Sequence, residues 1–194
     1  SFMNFTRDEF DRLRLYPREM EITTLAIQGL STPAIGRRLG LKVSEKHSRS
    51  ATAQTTLERV FKKVNILEGV AKSEALTARL LERYAAALLG RAALGPLSED
   101  NSVVIPSEVR QQIEQKRLNI MADSELNHNH IETIGQIGKG LTNKKIGENL
   151  FVSKDSVKAR LLRAYALTKA RHKIGLLAWS YGIQLNSADV NSER

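Results

Sequence analysis

Lys154, Lys158, Arg160 and Arg163 recur along one short stretch with Asp155 as the only acid among them. Guanidinium and ammonium groups at this spacing can bond guanine O6 and N7 in a major groove, or phosphate oxygens. Ser153, Ser156 and Ala159 lie between them, types that hold a phosphate through a hydroxyl or touch a thymine methyl. Just upstream, Thr142, Asn143, Lys144 and Lys145 stand at the start of another predicted helix, where backbone N–H groups, hydroxyls and ammonium groups meet phosphates. Residues 139–173 hold ten Lys or Arg and two Asp or Glu, a local charge of +8. The chemistry this offers is the holding of a polyanion. The plainer alternative is a solvated basic face on an ordinary helical domain.

A second candidate set lies in the first half. Lys42, Lys46 and Arg49 fall in a predicted loop, suited to phosphates, and a helix predicted to begin at Thr52 presents Thr52, Gln54, Thr55, Glu58 and Arg59. Gln can pair with adenine through two hydrogen bonds, so base reading is open to this helix. Residues 37–63 carry eight Lys or Arg and two Asp or Glu. Two readings remain for this half: DNA contact, or a packing role without DNA.

Catalytic and metal chemistry are not indicated. No nucleophile elbow, phosphate-cradling glycine loop or carboxylate pair is present, and His128-Asn129-His130 has no third or fourth ligand in view. With no cysteine, disulfides and thiolate metal sites are excluded. The expectation is a non-enzyme with no cofactor, no metal and no small-molecule ligand.

Helices must position these side chains, because strand patterns are almost absent. Thr6 with Glu9 reads as a capping box for a helix over 7–15. Pro17 opens a helix over 17–28 that Gly29 stops, and Ser31 caps 32–39. Ala53, Leu57, Val60, Phe61 and Val64 keep the spacing of a buried helical face. Residues 70–94 read as one long Ala/Leu-rich helix, "LSEDNS" as a linker, and helices resume over 106–121, 124–138, 143–150 and from Ser153 to about 170. The Ala/Leu stripe at 76–88 is read as core before dimer seam, and Trp179 and Tyr181 as cover for the C-terminal core. Ser1-Phe2 reads as a remnant ahead of Met3.

The two halves echo each other. Gly29-Leu30-Ser31 returns as Gly140-Leu141-Thr142, Ile35-Gly36 as Ile146-Gly147, and Leu39 as Leu150. Each time the order is helix, Gly-Leu-Ser/Thr, short helix, turn, longer helix, the order of a helix-turn-helix. The fold expected is all-α: two helix-turn-helix domains at 3–69 and 97–185, a linker helix over 70–96, and a disordered tail over 186–194.

"GLTNKKIGENLFVSKDSVKARLLRAY", residues 140–165, resembles the LuxR/FixJ-type helix-turn-helix. Gly140, Leu141, Thr142, Asn143, Ile146, Leu150, Val152, Ser153, Val157 and Lys158 match that pattern, while Gly147 stands for its usual Ala, Ser156 for Thr and Arg160 for His. The resemblance implies that Lys158 and its neighbours contact bases or phosphates. "LYPREMEITTLAIQGLSTPAIGRRLG" resembles the same family, but eleven residues separate Gly40 from Thr52 where the family has about four. In size and architecture the chain also resembles the immunity repressors of temperate actinobacteriophages, which implies binding to short asymmetric sites.

The totals agree with such a reading. Thirty Lys and Arg against 21 Asp and Glu leave a net charge of +9 and a pI near 9.9, the balance of a chain with a polyanionic partner. No apolar run approaches the ~20 residues of a membrane span, and the N-terminus does not read as a signal peptide. A cytoplasmic location is expected, in a bacterial host if the chain is phage-encoded. The expectation is therefore a monomeric, sequence-specific repressor of double-stranded DNA with two different recognition helices. Two alternatives stand beside it: a sigma-like regulator that contacts RNA polymerase, and an accessory factor for integration or excision.

Overall fold

A computed structural model describes residues 1–43, 48–66, 70–91, 93 and 95–185; Lys46 and the expected tail over 186–194 lie outside the described residues. The chain is all-α. Its described helices are α1 (Phe2–Arg12), α2 (Pro17–Ala26), α3 (Thr32–Arg38), α4 (Arg49–Lys63), α5 (Lys72–Leu88), α6 (Asn101–Val104), α7 (Ser107–Ala122), α8 (His128–Ile137), α9 (Asn143–Leu150), α10 (Lys154–Thr168) and α11 (Lys173–Ser180). None of them is long and apolar enough to cross a membrane.

Local chemistry sets most of the boundaries. The hydroxyls of Ser31, Ser48, Thr142 and Ser153 each accept the N–H three residues on, satisfying a donor that the first helical turn leaves free. Gly29, Gly40, Gly90 and Gly182 sit at positive φ just past helix ends, where a side chain would be strained. At Gly90 the closing bonds run from Arg91 N–H to Ala86 C=O and from Gly90 N–H to Ala87 C=O. They end α5 at Leu88, six residues before the end expected from sequence.

Several expectations need correction. Thr6 does not begin a helix: α1 starts at Phe2 with Ser1 as its cap, and Glu9 bonds Arg12 and Arg83 instead of closing a capping box. Phe2 is buried against Tyr84, and the exposed Ser1 serves as the cap. α4 begins at Arg49, because Ser48 supplies the cap; Arg49 is therefore helical and Thr52 lies one turn in. α8 starts at His128 under an Asn127 cap, later than expected. The stretch read as a linker is packed, with Leu97 and Asn101 buried and Asp100 capping the short α6.

Two three-helix units repeat one packing scheme. α4 lies on α2 and α3, and α10 lies on α8 and α9. Ala53, Leu57 and Val60 are buried on α4 at the spacing that Val157, Leu161 and Ala164 keep on α10. Both stripes belong to one continuous core that also takes in Leu76, Leu80 and Leu81 of α5 and Leu176 and Leu177 of α11. So α5, expected as a linker, is core as well as connection. It packs on α1, α7 and α11, and its Arg83 is buried beside Glu9, bonded to Asn101 and to the carbonyls of Gly95, Pro96 and Glu99.

Candidate nucleic-acid interface

α10 is positioned by its buried stripe, which turns the opposite side outward. Lys154, Ser156, Lys158, Ala159, Leu162 and Arg163 are exposed on it. Lys154, Lys158 and Arg163 form no ion pair among the described residues, although the face holds Asp155 as well. Like charges gathered without partners repel one another, and an anionic surface relieves that repulsion. Ser153 is committed to capping, its hydroxyl accepting the Ser156 N–H at 3.0 Å and lying 2.9 Å from the Ser156 hydroxyl.

Arg160 departs from expectation. It does not stand on the outer face: it is half-buried, and its Nη1 is buried without a hydrogen-bond partner among the described residues. Its charge bears on His130 of α8. Burial, then Arg163 and then Arg160, holds that imidazole below its ordinary pKa. His130 Nδ1 accepts the Asn127 N–H at 3.1 Å, which places the ring proton of the neutral form on Nε2. This histidine is spent on the cap of α8, and His128 reaches Glu132, so the pair seen in sequence does not converge.

The preceding helix lines up beside this face. Lys144 and Lys145 are exposed at the start of α9; Lys145 pairs with Glu148 at 3.1 Å and Lys144 pairs with none of the described residues. Thr142 caps α9, accepting the Lys145 N–H. Asn143 is half-buried, with its Oδ1 unsatisfied. The turn between α9 and α10 is tight. Phe151 takes the left-handed conformation at φ 56°, and a Cβ added to Gly147 would lie 2.6 Å from the Val152 carbonyl oxygen. A side chain at this position would force the turn to shift.

Phe151 was not foreseen. Its ring is 95% exposed at the tip of the turn, next to the basic face, and Leu162 on α10 is 58% exposed. The sequence held a signal, since Phe151 falls outside every apolar stripe and sits between two residues, Leu150 and Val152, that pack on the core.

On α4 the same register exposes Gln54, Thr55 and Arg59, each one, two and six residues past the buried Ala53, as Lys158, Ala159 and Arg163 follow Val157. Thr52 is half-buried and donates to the Ser48 carbonyl, and Thr55 donates to the Ala51 carbonyl at 2.9 Å. Glu58 is not a free reader: it accepts from Lys72 at 2.7 Å and from Gln54 at 2.9 Å. The Lys72 hydrogen bond holds its carboxyl below the ordinary range. Lys42 and Arg49 are exposed at the entrance to α4, and the backbone of Arg49 lies against Gly36.

In three comparisons the chain matches no family model, no curated protein and no solved structure.

Proposed function

We propose that this chain is a sequence-specific double-stranded DNA-binding protein, built from two helix-turn-helix units of the LuxR/FixJ type. It acts as a transcriptional repressor, comparable in architecture to the immunity repressors of temperate actinobacteriophages. One observation carries the reading. Lys154, Lys158 and Arg163 stand exposed and without ion pairs on the outer side of α10, one tight turn from Lys144 on α9. In this reading α10 enters the major groove, Lys158 and Arg163 meet base edges or phosphates, Ala159 and Leu162 meet thymine methyls, and Lys144 and Lys145 meet the backbone. α4 offers a different surface, with Gln54 and Thr55 between Arg49 and Arg59, so the two units favour different bases and one polypeptide suits an asymmetric site. Fluorescence anisotropy against a preferred duplex tests this. Contact with about 6–10 phosphates gives a log–log salt slope of about −5 to −9. A slope near zero removes DNA as the partner.

A second reading, a regulator that also touches RNA polymerase, has one observation in its favour: Leu88, Leu89 and Val103 stand exposed on α5, its end and α6. Leu88→Asp decides between them. Under the first reading it leaves promoter repression intact; under the second it removes regulation while DNA affinity stays unchanged. An integration or excision factor would differ by bending its site, which a phased-bend gel assay reads directly.

A further inference from the structure

In both halves the glycine that opens the Gly-Leu-Ser/Thr motif is a point of close approach. A Cβ on Gly29 would lie 2.1 Å from Cε1 of His172, the residue that caps α11, and a Cβ on Gly140 would lie 2.6 Å from Cβ of Ala75 on α5. Gly29 belongs to the first unit and His172 to the second half, so the imidazole is seated against backbone across the boundary. Its Nδ1 accepts the Gly175 N–H at 2.9 Å, which fixes the ring plane.

The first turn of α5 makes the second junction. Lys72 bonds Glu58 of α4 at 2.7 Å and lies 6.0 Å from the centre of the Phe61 ring. One residue earlier, the Ala71 N–H donates to the Gly140 carbonyl at 2.8 Å, on the turn between α8 and α9. Glu74, two residues after Lys72, bears electrostatically on Tyr165 of α10 and on His172 and Lys173. One helical turn therefore touches both units, and the core beneath it is continuous between them.

We propose that α4 and α10 are held as one rigid body by two clasps, His172 on Gly29 and the first turn of α5 between Glu58 and Gly140, so that the DNA site has one permitted spacing and phase between its two parts. The inference rests on the proposed DNA reading for its consequence, and on contacts within the chain alone for its premise. Flexibly tethered modules tolerate added base pairs, because the linker only changes the effective concentration of the second module. A rigid reader does not. One inserted pair moves the second part by ~3.4 Å and turns it by ~34°, and ten pairs restore the phase but leave it ~34 Å too far.

Because the chain has no cysteine, the premise is measurable without DNA. Lys62→Cys and Ala166→Cys place spin labels on exposed positions of α4 and α10, outside the proposed contacts. Double electron–electron resonance on the full chain is expected to give a single narrow distance distribution, unchanged by duplex. A broad or two-peaked distribution overturns the proposal, whatever DNA does. The consequence is read with the unlabelled chain on the duplex that random-pool selection enriches, with one, five or ten pairs inserted between its parts. Each insertion is expected to weaken binding at least about tenfold, the loss of one unit's base contacts. Undiminished affinity for any of them overturns it. Lys72→Met with His172→Ala is expected to broaden the distribution and shrink the penalty for one inserted pair relative to the parent, a ratio that simple destabilisation would not move. If the distribution is narrow but no duplex binds, the DNA reading fails and the rigid body stands.

Discussion

Lys158 and Arg163 differ from Lys144 in what their loss should do. Both stand on the outer side of α10, so Lys158→Ala or Arg163→Ala is expected to cost about 1–3 kcal/mol and relax preference at one base position. Lys144→Ala is expected to weaken preferred and random duplexes by the same factor and to lower the salt slope by about 1. Anisotropy titrations on both duplexes separate the two outcomes, and unchanged affinity and preference in both α10 variants would mean the wrong helix has been assigned to the groove. Much of this face was legible from sequence, because Val157, Leu161 and Ala164 fix the buried side and so the exposed one. Arg160 was not. A side chain that long can fold back against α8, and periodicity assigns only the direction of Cβ. Phe151 was missed for a related reason: an apolar residue is ordinarily assigned to a core, and its exposure depends on a left-handed turn that spacing alone does not announce.

Elements are where capping chemistry was most readable. Ser31, Thr142 and Ser153 were placed correctly because a hydroxyl three residues before a free N–H is a local signal, complete within one turn. Ser48 and Thr52 both satisfy the local rule; Ser48 holds the cap, and the Arg49 backbone that follows it lies against Gly36. Gly147 is held close to backbone, where an added Cβ would lie 2.6 Å from the Val152 carbonyl oxygen. Gly147→Ala is expected to destabilise by about 1–3 kcal/mol through crowding against the Val152 carbonyl, measured by urea unfolding. Stability equal to the parent would show that the turn yields freely. The α8 cap adds a pH dependence. Burial, first, lowers the pKa of both His130 and His172 below the ordinary 6.5. Folding thus favours their neutral forms, and between the folded and unfolded values the unfolded chain binds more protons, so stability rises with pH there. It is present in full above about 6.5 and is lost as pH falls from there toward the lower folded values, before the Glu19 and Glu58 carboxylates begin to protonate. Unfolding at pH 7.5 and 5.5 measures it, and equal stability at the two would contradict the buried neutral rings.

At the scale of the whole molecule the sequence misled in one respect. Two repeated motifs flanking an Ala/Leu-rich helix suggested separable units on a spacer. That helix instead carries Arg83 into the interior, where Glu9 from α1 and Asn101 from α6 meet it. Nothing local marks an arginine as buried; its partners lie 74 and 18 residues away along the chain. Arg83→Ala is expected to cost about 2–5 kcal/mol, because it leaves a cavity and strips the Gly95, Pro96 and Glu99 carbonyls of their side-chain donor, while Glu9 keeps only Arg12; a loss under about 1 kcal/mol would mean that solvent reaches the site. Net charge, by contrast, is legible as a whole-molecule property, and exposed Lys and Arg of α4, α9 and α10 carry part of it. Asymmetric DNA recognition by one polypeptide is read directly by selecting bound duplexes from a random pool with the full chain. One enriched motif without two-fold symmetry is expected, its two parts at a single spacing. An inverted repeat, or no enrichment over the starting pool, would contradict it.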